Sequence, residues 1–183
     1  MSRTPAMSAA ARRFDEPASP GLARRLRTAA PSLRIAVAGS AAWGLAMGAS
    51  AIASLMLDQW ETADRIRTVA LLFFLGGALA FPFAWTLAGL LTRRRRPETA
   101  FAACFVALAA MTVGLTALLY ALQYRSYYAE WHAPAFTLTW AFQFVFTGLV
   151  AAYQFAVLGV RMYFPLGFIA LIAAALWFAG RSR

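Results

Sequence analysis

The chain has 183 residues, of which 62% are hydrophobic and 13% charged, and its mean hydropathy is +0.62. A soluble domain carries roughly 25% charged residues and few long uncharged runs, so the composition argues against a soluble globular enzyme and for a polytopic membrane protein. The net charge is +10 and every basic residue is arginine. The arginines sit in an N-terminal tail and between apolar runs, which points to positive-inside topology and anionic lipid headgroups rather than nucleic acid. The Arg- and Ala-rich usage suggests a bacterial source, and with it the inner membrane.

Residues 1–34 form a basic tail in which Pro5, Pro17, Pro20 and Pro31 break any long helix. Disorder is expected through about residue 20. A short amphipathic turn follows, with Leu22, Leu26 and Leu33 between Arg24, Arg25, Arg27 and Arg34, suited to an anionic membrane surface.

The first span is expected at 35–57. Ala36, Ser40, Gly44 and Gly48 recur every four residues and give it a small-residue stripe for close helix packing. An acidic loop follows, with Asp58, Glu61 and Asp64, and Trp60 suits the interface. The second span, 68–91, carries Gly76, Gly77 and an internal Pro82, which predicts a kink.

Arg93, Arg94, Arg95 and Arg96 are the strongest topological signal in the chain. The third span is expected at 100–122, and the loop after it, with Tyr124, Tyr127, Tyr128 and Trp131, reads as an aromatic belt.

The fourth span, 135–160, has a polar line drawn down an apolar run. Thr139, Gln143, Thr147 and Gln154 fall within about 40° of one direction at 100° per residue, and His132 and Arg161 continue the line. Gly148, Ala152 and Ala156 lie on the roughly opposite side. Two amides and two hydroxyls on one edge do not suit lipid, so this helix is expected to meet other helices on both sides, with the remaining spans as its frame. A fifth, marginal span is expected at 162–180.

The expected fold is therefore an all-α bundle of five transmembrane helices with a cytoplasmic N-terminus. Under that topology Arg161 joins the tail and the Arg93 to Arg96 run inside, while Arg65, Arg67, Arg125, Arg181 and Arg183 lie outside.

No catalytic constellation is expected. None of the carboxylates Asp15, Glu16, Asp58, Glu61, Asp64, Glu98 and Glu130 falls at mid-membrane. One histidine and one cysteine do not make a metal site or a redox pair, and no cofactor is implied. The function expected is that of a non-enzymatic accessory or assembly subunit, whose partners are the bilayer and other membrane helices, of its own kind or of a larger complex. The alternative is a small-molecule or lipid transporter or sensor that uses the polar line of the fourth span as a groove.

Overall fold

The computed structural model describes residues 21–59, 62–92 and 96–181. The tail through residue 20, Trp60, Glu61 and Arg93 to Arg95 lie outside that set. The described residues are helical almost throughout and contain no strand. The helices are α1 (Leu22–Ala29), α2 (Leu33–Asp58), α3 (Ala63–Leu91), α4 (Pro97–Tyr128), α5 (Leu138–Gln154) and α6 (Leu166–Arg181).

Among the described residues, four stretches are long and apolar enough to cross a membrane: Leu33–Asp58, Ala63–Leu91, Pro97–Trp131 and Leu138–Tyr163. The chain is a multi-pass membrane protein. The expected fifth span is α6, whose 16 residues reach about 24 Å, short of the roughly 30 Å hydrocarbon core.

Local chemistry sets the ends. Gln59, with φ of 55°, takes the left-handed conformation that stops α2. Thr62 precedes α3 in extended conformation and Asp64 occupies its first turn, where a negative charge suits the helix dipole. Pro97 opens α4 with Glu98 beside it. Thr137 caps α5, its hydroxyl accepting from the Trp140 N–H at 3.2 Å. Pro82 lies inside α3 without ending it.

The core is built around α3, which packs against both α2 and α4. Its two adjacent glycines serve different neighbours. A Cβ on Gly77 would sit 2.8 Å from Met47 Cγ of α2, and one on Gly76 would overlap the Thr116 side chain of α4. On α2, a Cβ at Gly44 would sit 2.7 Å from the Phe74 carbonyl oxygen, so these backbones approach as only small residues permit.

α1 docks Ala29 against Gly89 of α3, which marks one end of the bundle as basic, with Arg24, Arg25, Arg27 and Arg34 exposed there. α6 runs from Ser50, well inside α2, back to that basic end. There Trp85 of α3 meets Trp177 with tilted rings at 5.4 Å and Phe178 edge-to-face at 4.9 Å.

The expectation that 135–160 would organise the bundle is overturned. Along Leu138–Gln154 only Ala151 is buried, and the helix packed on it is α4. Its most apolar stretch is 11% buried, against 28–44% for the other three. The reason lies in what its polar edge does.

Candidate functional site

The polar line of α5 is turned mostly toward its own chain. Gln143 Oε1 accepts from the Ala133 N–H at 2.8 Å. Thr147 donates to the Gln143 carbonyl at 2.6 Å and stands 3.3 Å from His132 Nε2. These bonds tie the turn before α5 back onto the helix, where unpaired backbone groups near lipid would be costly. The Arg125 guanidinium of α4 covers the Phe144 ring at 3.5 Å and holds the same region from the other side. Further down, Gln154 accepts from the Tyr120 hydroxyl at 2.7 Å. Arg161 pairs with Asp58 at the end of α2, Nη2 to Oδ2 2.6 Å. Thr139 is exposed.

The fourth long helix then breaks. After Gln154 the backbone makes a π turn at Phe155–Gly159 and a 3-10 turn at Val160–Tyr163, and α6 begins at Leu166. Ser50 of α2, fully buried, bridges the gap. Its hydroxyl donates to the Met162 carbonyl at 2.9 Å and accepts from the Gly167 N–H at 3.0 Å. Beside it, Trp43 donates to the Thr112 hydroxyl at 2.9 Å. The Tyr163 hydroxyl lies 3.5 Å from the Thr112 carbonyl. A π turn and a broken helix at mid-bundle are features that recur at functional sites.

Above the break the bundle opens at the end opposite α1. A cavity of about 730 Å³ lies between the first turns of α3, the last turns of α4 and the end of α5. Thr68, Gln123, Tyr124 and Gln154 give it a polar rim, and Phe73, Phe155 and Leu158 an apolar floor. Because α4 runs on to Tyr128, past the expected end at 122, Tyr120, Tyr124 and Tyr128 stand one turn apart on one edge of a helix. Their ring centroids are 6.1 and 4.8 Å apart. The stack continues inward from Tyr120 to Phe155 (6.0 Å), Phe73 (6.2 Å) and Tyr163 (5.0 Å).

The small-residue lines have different surroundings. Gly44 and Gly48 lie against Phe74 and Ala70 of α3, and Ser40 is half-buried near the basic end. Gly148 has open space where a Cβ would stand, and Ala152 and Ala156 are exposed. Among the described residues, no helix covers that second line. Arg96 is exposed at the start of α4, while Arg93, Arg94 and Arg95 are outside the described residues.

Sequence reasoning missed Ser50, Trp43, Thr112 and Tyr163 as a group. The available signal was a set of hydrogen-bonding side chains within apolar runs, which had no mark of belonging together. No protein-family model, curated protein or solved structure matches the chain. Function therefore has to be argued from this geometry.

Proposed function

We propose that this is a non-enzymatic accessory or assembly subunit of a bacterial inner membrane that works by presenting α5 to another membrane helix. The observation that carries the reading is the open line of Gly148, Ala152 and Ala156 on the least buried of the four long helices. Without a hydrophobic force between helices in lipid, association depends on close backbone approach, which such a line permits. The polar edge of α5 is occupied within the chain, so it is this opposite edge that is offered outward.

The same reading has a cytoplasmic N-terminus and a fourth crossing made of α5 and α6 together. Arg181 and Arg183 then lie with the tail and with Arg93 to Arg96, leaving Arg65, Arg67, Arg125 and Arg161 on the other side. That is a stronger bias than five spans produce.

The test is a single cysteine at Ala152. Cys104 is buried, so Ala152→Cys is the reactive thiol on this face. Coupling a photoreactive maleimide to that thiol and irradiating native membranes is expected to yield one dominant cross-linked adduct, with a companion subunit or a second copy. A chain that stays monomeric after irradiation and runs alone in mild detergent would contradict the proposal.

A further inference from the structure

The cavity above the break faces away from the line proposed to meet a partner. Gln154, Leu158 and Met162 border it, whereas Gly148, Ala152 and Ala156 are not part of its lining. What it takes is therefore a question independent of how α5 is partnered.

Its size is that of a small-molecule site, roughly 300–1,000 Å³. Its lining is graded. Thr68 and Gln123 are exposed at the mouth, Tyr124 and Gln154 are half-buried, and Phe73 and Phe155 are buried below. A gradient of this kind at the end of a membrane bundle matches a molecule with a polar head and an apolar tail. The charged side chains of the lining are one of each sign, Asp64 and Arg65. An anionic phosphate head would meet the carboxylate as well as the guanidinium, so the balance favours a neutral head. Two features describe that head further. Tyr120, Tyr124 and Tyr128 form a wall of rings, which suits a planar group. The Tyr120 hydroxyl occupies Gln154 Oε1 and the Tyr124 oxygen accepts from its amide nitrogen, which leaves the second amide N–H of Gln154 as a donor to an oxygen acceptor.

We infer that the cavity binds a neutral amphiphile with a planar, carbonyl-bearing head and a hydrocarbon tail, of which a tailed benzoquinone is the simplest example. The head stands against the tyrosine wall within reach of Gln154, and the tail lies over Phe155 and Leu158.

The experiment titrates a benzoquinone bearing one isoprene unit into the full chain in phosphatidylcholine nanodiscs and reads quenching of tryptophan fluorescence. Leu158→Trp fills the floor, Tyr124→Leu removes part of the wall, and Leu149→Trp places the same bulk on the exposed face of α5. Leu158 and Leu149 are both partly exposed, so neither change touches the core. The expected result is saturable binding of one molecule per chain. It should weaken by about tenfold or more in Leu158→Trp and Tyr124→Leu and stay unchanged in Leu149→Trp. Non-saturable uptake, or equal effects of the two tryptophans, would overturn the site. Saturable binding of phosphatidylglycerol in place of the quinone would overturn the neutral head and identify an anionic lipid.

Discussion

The hydroxyl of Ser50 accepts from the N–H of Gly167 at 3.0 Å, and through the same oxygen donates to the carbonyl of Met162 at 2.9 Å. A side chain of α2 thus makes two of the backbone bonds that the break between α5 and α6 lacks. Ser50→Ala leaves a donor and an acceptor unpaired in a buried site. Each unpaired group costs about 1–3 kcal/mol. The expected outcome is a clear loss of thermal stability in detergent, with Ser50→Cys retaining more of it because a weak donor remains. Equal melting of the wild type and Ser50→Ala would show that the bridge does not hold the break.

Glycine offers a paired comparison. At Gly76 an added Cβ meets the Thr116 side chain, whereas at Gly148 it meets nothing. Gly76→Ala must push α3 from α4 and is expected to destabilise by about 1–3 kcal/mol, the usual range for overpacking. Gly148→Ala in the isolated chain is expected to be neutral or to stabilise by up to about 1 kcal/mol through helix propensity. Chemical denaturation in micelles checks both, and a reversal of the order would count against the α3–α4 contact.

The pair between Arg161 and Asp58 joins the end of the fourth crossing's upper half to the end of α2. Both side chains are partly exposed, at 45% and 31%, so solvent screens the attraction. A double-mutant cycle with Asp58→Asn and Arg161→Gln is expected to give a coupling of only about 1 kcal/mol or less. A coupling several times larger would mean that the pair is shielded from water in the membrane.

The short α6 makes a prediction about sidedness. It starts beside Ser50 and ends near Trp85, so its last turn returns to the end of the bundle that carries α1. A fluorescent-protein fusion after Arg183 should fluoresce in cells, because that fold matures in the cytoplasm, and a phosphatase fusion at the same point should be silent. The opposite pair of results would restore a full fifth crossing.

Much of this fold was legible in the sequence. Run length and charge located α2, α3 and α4, and the spacing of Gly44 and Gly48 marked a face that does meet a neighbouring helix. The break was not legible, because Phe155–Gly159 has the same apolar composition as the helix before it and hydropathy measures run length, not continuity. Ser50 was not legible either. Its partners lie 112 and 117 residues further along the chain, and a serine within an apolar run carries no mark of that distance. The polar line of α5 was visible, and Gln154 does meet the neighbouring α4 through Tyr120, but the direction of Gln143 was misread. Periodicity shows that Gln143 and Thr147 share an edge, yet it cannot tell a neighbouring helix from the turn ten residues earlier that Gln143 holds. The tyrosine wall was hidden for a simpler reason. Residues 123–128 read as loop, so the helical register of Tyr124 and Tyr128 with Tyr120 went unseen.

If α5 serves to be met by another helix, the chain purified from native membranes in mild detergent should bring that partner with it, identifiable by mass spectrometry. The expected result is a companion in fixed proportion, whether another protein or a second copy, that is lost from Ala152→Trp while the chain itself stays folded. A folded wild-type chain that purifies alone as a monomer would contradict it.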